Sequence, residues 1–301
     1  MVATRIVSLD DSDLYYIPET LKPGINGIDF SLFLPMVGMM TNKAMNCFKK
    51  DGPEGYGYDE MPPEVIDILD ARTADPDTTV KALTVPVMEH TSKGSLTTIL
   101  DLGCGAGHIS RALSKCFPGP DIYAVDYCEV AITKALSKTQ DVKNVKFLKE
   151  NVTSLPAAWT RKFDWVILYD VLHDLPDHVN AMKEVDRVLK NDGVASIVDP
   201  DVHSKHRDNI GNNNVAGVGF ALSALICLPC SLSTDGASGH GVGWGSENKE
   251  QFLTSSGWRV KDKRNIGDTK IVLPYRHGSR IVYYPDTFLD IIIQINWTDF
   301  P

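Results

Sequence analysis

Two features are missing from the 301-residue sequence: a long uninterrupted apolar run and an excess of positive charge. An uncharged stretch, residues 211–234, is broken by glycine, serine and proline. Its compact apolar part is shorter than the roughly 20 residues that a membrane-spanning helix needs, so we interpret it as a buried or lid-forming helix. The net charge is −9, which argues against a protein that neutralises nucleic-acid phosphates. We therefore expect neither a membrane nor a nucleic acid as a partner.

A disulfide framework and a secretory signal are not indicated either. Six cysteines are scattered over the long chain, as in reduced cytosolic proteins. Cys227 and Cys230 form a CxxC pattern, but no second cysteine pair accompanies it, so a zinc or redox site is not predicted. The first residues, MVATRIVSLDD, contain no apolar signal core. We therefore expect a cytoplasmic protein.

Between residues 97 and 200, apolar strand-like segments alternate with amphipathic helical segments. The strand-like segments are TTILDLG, DIYAVD, NVKFLKE, FDWVILYD and VASIVD, and the helical ones are HISRALSKCF, EVAITKALSK and HVNAMKEVDRVLK. This alternation predicts βαβ units and a parallel sheet that is covered by helices on both faces. Two later segments, GWRVKDKR and SRIVYYP, predict a closing antiparallel pair. The expected fold class is α/β.

A glycine-rich stretch, LDLGCGAGHIS, follows the first predicted strand. Its glycines allow a tight turn and a close approach of the backbone to a ligand. Asp126 ends the second predicted strand, where a carboxylate can accept hydrogen bonds from both hydroxyls of a ribose. The dinucleotide fingerprint would need a third glycine where His108 or Ser110 stands. Asp101, before the first glycine, suits a positively charged amino group better than a pyrophosphate.

LDLGCGAGHIS resembles the first motif of class I S-adenosylmethionine-dependent methyltransferases. Four further stretches resemble the later motifs in the same order: AVDYCEVAITKA, VKFLKENVTSLP, FDWVILYDVLHDLPD and VDRVLKNDGVASIVD. The resemblance covers residues 97–200 without a gap. It implies a Rossmann-like, doubly wound, seven-stranded sheet, S-adenosylmethionine (SAM) as the cofactor and S-adenosylhomocysteine as the product.

Two more stretches, CLPCSLSTDGASGHGVGWGSE and CFKKDGPEGYGYDEM, resemble parts of small-molecule thiol and O-methyltransferases. These relatives carry an N-terminal winged-helix-like dimerisation region, most of which has no counterpart here. The resemblance implies a helical cover or dimerisation segment (1–93), a methyltransferase domain (94–285) and a C-terminal tail (286–301). It also raises a homodimer as a hypothesis.

The resemblance also implies a set of cofactor-binding residues at the carboxyl ends of the strands. These are Asp101, Gly103, Cys104, Gly105, Gly107, Asp126, Tyr127, Asn151, Val152, Tyr169 and Asp170. Asp101 and the glycine loop would hold the methionine part, Asp126 the ribose, and Tyr127 would lie against the adenine. Asn151 departs from the aspartate of many relatives, but its side-chain carbonyl can still accept a hydrogen bond from the adenine amino group.

Three hypotheses can explain the acidic and histidine-rich stretch YDVLHDLPDH (residues 169–178): a metal site, an acid/base centre or a helix start. His173 and Asp177 have the spacing of ligands on one helical face, but Pro176 disfavours a helix there, so no metal is predicted. Asp174 or Asp177 can cap the next helix, with His178 in a solvated first turn.

The stretch His-Asp-Leu-Pro-Asp also resembles the His-Asp-Trp-Ser-Asp stretch of plant O-methyltransferases, in which the histidine is the base. This resemblance implies that His173 is the catalytic base and that Asp199 orients it through a hydrogen bond. Two alternatives remain open, namely that His173 only forms hydrogen bonds within its loop, or that proximity alone drives the reaction.

Four residues are expected around the methyl acceptor: Tyr56, Cys227, His240 and Trp244. We expect methyl transfer to a small-molecule thiol or hydroxyl. A thiol is preferred because invertebrate relatives resemble thiol methyltransferases and because a thiol of pKa near 8.5 needs little help to ionise. The alternatives are a non-catalytic SAM-binding regulator and an N- or C-methyltransferase.

Overall fold

The computed structural model describes residues 8–9, 15–16, 30–72, 76–90, 96–140, 142–210, 216–266 and 269–275. The helices in these ranges are α1 (Phe30–Cys47), α2 (Pro63–Arg72), α3 (Pro76–His90), α4 (His108–Cys116), α5 (Glu129–Ser137), α6 (His178–Val188), α7 (Ala216–Leu225), α8 (Cys227–Ser231) and α9 (Ser246–Ser255). The strands are β1 (Ser8–Leu9), β2 (Tyr15–Tyr16), β3 (Thr98–Leu102), β4 (Asp121–Asp126), β5 (Val145–Lys149), β6 (Phe163–Tyr169), β7 (Leu189–Pro200), β8 (Arg259–Ile266) and β9 (Thr269–Tyr275).

The main sheet has seven strands in the order β5-β4-β3-β6-β7-β9-β8. The first five are parallel to one another, and β9 is antiparallel to both β7 and β8. The predicted α/β fold with a closing antiparallel pair is therefore confirmed. The last strand, however, is formed by TKIVLPY, and the predicted strand SRIVYYP lies outside the described residues.

Helices cover both faces of this sheet, as the apolar strands require. On one face, side chains of α3 and α4 such as Leu83 and Leu113 form a core with β3 and β6. On the other face, α6 and α9 contribute Val185 and Leu253. The helix before β7 ends at Val188, because Leu189 already belongs to the strand, so β7 is longer than VASIVD.

The sheet places the candidate functional residues along one edge. The strand order reverses at β3, whose neighbours are β4 and β6, and ligands bind at such switch points beyond the carboxyl ends of the strands. The glycine loop follows β3, Asp126 ends β4, Tyr169 ends β6 and Asp199 is next to last in β7.

The N-terminal helices pack in two places. Helices α1 and α2 form an apolar cluster with α7 and α8 that includes Met40, Val65 and Ile226. Helix α3, which falls within the predicted cover segment 1–93, packs on the sheet instead. The predicted tail 286–301 lies outside the described residues. Among the described helices, none combines the length and the apolar character needed to cross a bilayer.

Candidate active site

The loop between β3 and α4 is built around three glycines with positive φ angles. These are 72° at Gly103, 54° at Gly105 and 81° at Gly107, a region that L side chains rarely adopt. A Cβ on Gly103 would lie 2.5 Å from Val171 Cγ2. One on Gly107 would overlap Phe147 Cε1, whereas one on Gly105 would meet nothing within 4 Å. The loop is therefore packed at both ends and open at its middle glycine.

Two carboxylates lie against this loop. Asp126 accepts hydrogen bonds from the backbone N–H of Gly105 and of Cys128, both at 2.9 Å. Asp101 is buried and accepts one from Ser110 Oγ at 2.5 Å. Burial raises the pKa of Asp126, and it raises the pKa of Asp101 to about 6 although the Ser110 hydrogen bond opposes this. A cation bound at the loop would stabilise the ionised form of both groups.

His173 lies one turn beyond β6, in a short 3₁₀ helix (Leu172–Asp174), with a side chain that is buried. Its Nδ1 is 3.1 Å from Asp199 Oδ1, so the two residues predicted as catalytic are in contact. On the other side of the ring, Nε2 is 3.0 Å from Asp174 Oδ1 and 4.0 Å from Asp170 Oδ1. The imidazole is thus held between carboxylates from β7 and from its own turn.

The charges around His173 determine its protonation. Burial opposes a charged imidazolium, but Asp174 and Asp199 outweigh burial and raise the pKa of His173 well above its ordinary value. Burial likewise opposes the charge of Asp199, yet Lys249 and His173 lower the pKa of Asp199 to about 2. Asp199 is therefore ionised at neutral pH and can only accept, so Nδ1 of His173 carries a proton.

The backbone at the end of β6 is strained. Asp170 has a φ of 59° and donates its backbone N–H to Val198 O at 2.7 Å. Aspartate tolerates the left-handed region better than most residues, but such positions persist where the surrounding structure requires them. The conformation turns the chain from β6 into the helix that carries His173.

A family model described as a methyltransferase domain matches residues 93–248, which is more than half of the 301 residues. The chain belongs to this family. With its strand order, it is a class I SAM-dependent methyltransferase by fold, and SAM is the cofactor of the family.

One curated relative of this methyltransferase is the demethylmenaquinone methyltransferase of Staphylococcus aureus strain JH9. It is 34% identical over 99 residues, which cover 33% of this chain and 41% of the relative. The chain therefore matches less than half of that relative's length. The same enzyme of Staphylococcus carnosus strain TM300 is 33% identical over 97 residues, which cover 32% of this chain and 40% of that relative.

Solved structures support the fold over a longer stretch. Mitomycin 7-O-methyltransferase MmcR is similar over 92% of this chain and 81% of its own, with a TM-score of 0.60 and 15% identity. A SAM-dependent methyltransferase from Aquifex aeolicus is similar over 71% of this chain and 98% of its own, with a TM-score of 0.50 and 22% identity. At these identities the likeness concerns the fold alone.

The glycine loop of this methyltransferase fits the cofactor. The space beyond Gly105 is open, and the backbone there allows a ligand to approach without meeting a side chain. The two carboxylates at the loop have raised pKa values because they are buried, so they favour a ligand with positive charge. SAM carries an amino group and a sulfonium. Asp101, Asp126 and the loop from Gly103 to Gly107, including Cys104, would therefore hold it.

Two residues predicted near the adenine, Tyr127 and Asn151, form hydrogen bonds with other residues of the protein. The Tyr127 hydroxyl accepts a hydrogen bond from Tyr58 N at 2.7 Å and donates one to Asp59 Oδ1 at 3.2 Å. Asn151 Oδ1 accepts from both N and Oγ1 of Thr153 at 2.9 Å. The Asn151 side-chain carbonyl, which was expected to accept from the adenine amino group, therefore forms hydrogen bonds within its own turn. Val152 is half-buried beside the core, and Tyr169 packs at the sheet.

The segment before α2 reaches the His173 site through Tyr58, which the sequence analysis did not single out. The Tyr58 hydroxyl donates to Asp174 Oδ2, while the predicted Tyr56 is buried and donates to Leu225 O at 2.5 Å. Tyr56 belongs to the apolar cluster between α1 and α8. The two tyrosines stand two residues apart in the same loop, and no signal in the sequence shows which of them reaches the His173 site.

Replacing Tyr58 with phenylalanine should lower the free energy of unfolding by about 2 kcal/mol, because one oxygen of a buried carboxylate loses its donor. Tyr56→Phe is the matched control, since it removes a hydroxyl that donates to a neutral carbonyl, and should cost about 1 kcal/mol. Urea denaturation measures both. A smaller loss for Tyr58→Phe than for Tyr56→Phe would show that the bond to Asp174 is not the stronger one.

His240 and Trp244, also predicted near the acceptor, stack on each other with ring centroids 4.0 Å apart. His178 contacts both rings and is buried, so the expected solvated first turn is wrong. The loop from 236 to 245 folds over His178 and donates Gly241 N–H to His173 O at 3.0 Å. Burial lowers the pKa of His240 to about 4, so its ring packs as a neutral aromatic. The loop that carries His240 and Trp244 therefore supports the backbone of His173 through the Gly241 hydrogen bond.

Asp177, in contrast, begins α6 as expected. Its Oδ1 accepts a hydrogen bond from Asn180 N at 3.0 Å, which is an N-cap bond. Asp174, the other predicted cap, instead contacts His173 and Tyr58. Asp177 therefore caps α6, whereas Asp174 contacts the residues around His173.

Cys227 begins α8 beside His173. Burial raises the pKa of Cys227 to about 11, and Asp174 adds to this, so the side chain stays a thiol. Its Sγ, a ring nitrogen of His173 and a carboxylate oxygen of Asp174 lie within 4.8 Å of one another. This spacing is compatible with a metal ion, which the sequence did not predict.

Proposed function

We propose that this protein transfers the methyl group of SAM to a small-molecule thiol or hydroxyl, with a thiol as the preferred acceptor. The observation that supports this most is the buried His173–Asp199 pair, which stands at the same sheet edge as the glycine loop. A proton acceptor at that edge suits an acceptor that must ionise before it attacks.

When bound, SAM supplies a methyl group activated by its sulfonium. The acceptor S–H bond would break as His173 receives the proton, and the sulfur lone pair would form the bond to the methyl carbon, with the electrons of the broken C–S bond passing to S-adenosylhomocysteine as the leaving group. His173 takes the proton at Nε2, because Nδ1 already donates to Asp199. For this step Nε2 must separate from Asp174 Oδ1, which lies 3.0 Å away. Asp199 holds that tautomer and stabilises the imidazolium that results.

The charges near His173 suit this reaction. Three carboxylates, those of Asp170, Asp174 and Asp199, face one imidazole and one lysine ammonium. The group therefore carries an excess of negative charge, which favours a sulfonium nearby. The carboxylates also make His173 a stronger base, at the cost of keeping it protonated near neutral pH. A thiol, which ionises near pH 8.5, matches such a base.

The proposal predicts transfer of a labelled methyl group from SAM to at least one compound in a panel of thiols, phenols and amines. Demethylmenaquinone belongs in the panel, because the curated relative is named for it. We expect the highest kcat/KM with an apolar thiol. Dialysis against a chelator before the assay should leave turnover unchanged, since the proposed step needs only a proton acceptor. Loss of activity that zinc restores would instead favour the metal hypothesis.

The rival from another class is a SAM-binding regulator without catalysis. It predicts tight SAM binding and no methyl transfer to any member of the panel. That combination would reject the enzyme proposal, whereas transfer to amines alone would retain an enzyme and reject the thiol or hydroxyl acceptor. A homodimer and a cytoplasmic location remain proposals that sedimentation and cell fractionation test.

A further inference from the structure

Lys249 is buried in α9, with a relative exposure of only 6%. Its Nζ lies 3.3 Å from Asp199 Oδ2 and 3.1 Å from Pro200 O. A lysine is rarely buried to this extent unless it is paired, because desolvation of its charge is costly. Here the partner is the carboxylate that contacts His173, although α9 lies 50 residues further along the chain.

Asp199 uses its two oxygens for two different cations. Oδ1 contacts His173 Nδ1 at 3.1 Å, and Oδ2 contacts Lys249 Nζ. Because its two oxygens contact residues of two different elements, rotation of the carboxylate is restrained. Its Oδ1 therefore stays directed at the N–H of His173 Nδ1. The Pro200 carbonyl restrains the ammonium in turn.

We infer that Lys249 is a positioning residue, which holds Asp199 ionised and oriented so that His173 keeps its proton on Nδ1 and Nε2 remains the nitrogen that can accept a proton. This inference rests on the proposed role of His173 in methyl transfer. Lys249 acts through Asp199, and no substrate contact is assigned to it.

Several titratable groups face His173 besides Asp199. Asp174 belongs to the same turn, Asp170 follows β6 directly, and the Cys227 thiol comes from α8. Tyr58 acts one contact further away, through Asp174. Lys249 is a cation that contacts one of these carboxylates, Asp199, from outside the turn of His173. Its removal should therefore leave the negative charge around the imidazole less balanced.

The test compares Lys249→Met and Lys249→Arg with the wild type. The control is Lys263→Met. It breaks a surface ion pair in which Lys263 Nζ lies 3.0 Å from Oε2 of Glu250, a residue of α9 like Lys249. The first readout is ¹⁵N NMR of labelled histidine, titrated without any substrate, with the His173 signal assigned by its absence in His173→Gln. The second is the pH profile of kcat for the acceptor found in the panel.

In Lys249→Met the His173 titration should move to higher pH, because a neighbouring positive charge is lost. We expect kcat near neutral pH to fall about fivefold to tenfold, with KM for SAM unchanged. Lys249→Arg should restore the His173 titration and kcat. Lys263→Met should match the wild type. An unchanged His173 titration and tautomer in Lys249→Met would overturn the inference, whatever happens to kcat.

A variant that does not fold would still leave the question decidable. Lys249→Gln retains a polar head group without the charge, so it should show the same displaced titration if the charge matters, and a wild-type titration would overturn the inference. The NMR titration needs no turnover. If the panel reveals no acceptor, the proposed function fails while the displaced titration still supports the positioning of His173 by Lys249.

Discussion

Replacing His173 with glutamine is expected to lower kcat by about 10²- to 10⁴-fold, the range that a positioned proton acceptor contributes to catalysis. Glutamine cannot take a proton, although its amide can still donate toward Asp199 and fill part of the space of the ring. The Kd for SAM should change little, because the glycine loop and its carboxylates, and not His173, are proposed to bind the cofactor. Steady-state kinetics and calorimetry separate the two effects.

The control for this variant is His203→Gln. His203 also pairs with a carboxylate, Glu247 Oε1 at 2.8 Å, but its side chain is exposed. It should retain wild-type kcat. Equal turnover by wild type and His173→Gln would mean that proximity and orientation carry the rate, and the assignment of a base would be withdrawn.

The pH dependence sharpens this prediction. Below its pKa the imidazole carries a proton on both nitrogens and cannot accept another, so kcat should rise with pH. Asp174 and Asp199 raise the pKa of His173 against the effect of burial, so the rise should lie above the ordinary value of 6.5. In His173→Gln only the ionisation of the acceptor thiol, near pH 8.5, should remain.

Local sequence patterns predicted the scaffold well. The alternation of apolar strands and amphipathic helices fixes a parallel sheet, and the strand ends then bring the glycine loop, Asp126 and Asp199 to one edge. Each of these inferences depends on neighbours within a few residues or on a rule about parallel strands. The resemblance to class I methyltransferases then supplied the roles that pattern alone leaves open.

The residues that escaped prediction act through contacts distant in sequence. Tyr58 meets Asp174 across 116 residues, and Lys249 meets Asp199 across 50. His178 looked like a solvated first-turn residue because its burial depends on Trp244 in a later loop. No periodicity encodes such pairs. They become visible only when the topology is known, which is why the positioning residues were harder to predict than the cofactor loop.

Replacing Gly105 with alanine is the most direct test of where the cofactor lies. Because the added Cβ would project into open space, it should interfere with a ligand and with no part of the protein. Overpacking by one methyl group costs up to about 3 kcal/mol. The Kd for SAM should therefore rise by up to roughly 100-fold. Calorimetric titration with SAM and with S-adenosylhomocysteine measures this directly.

The backbone strain of this substitution needs its own control, because alanine at a φ of 54° is unfavourable by about 1–2 kcal/mol. Gly236 provides it: its φ is 73°, and a Cβ there would also meet nothing within 4 Å. Gly236→Ala should lose a similar amount of stability and keep its SAM affinity. If both variants bind SAM like the wild type, the cofactor does not lie over Gly105. If both weaken binding equally, strain and not contact is the cause. If Gly105→Ala alone weakens SAM binding, the ligand contacts the middle of the loop.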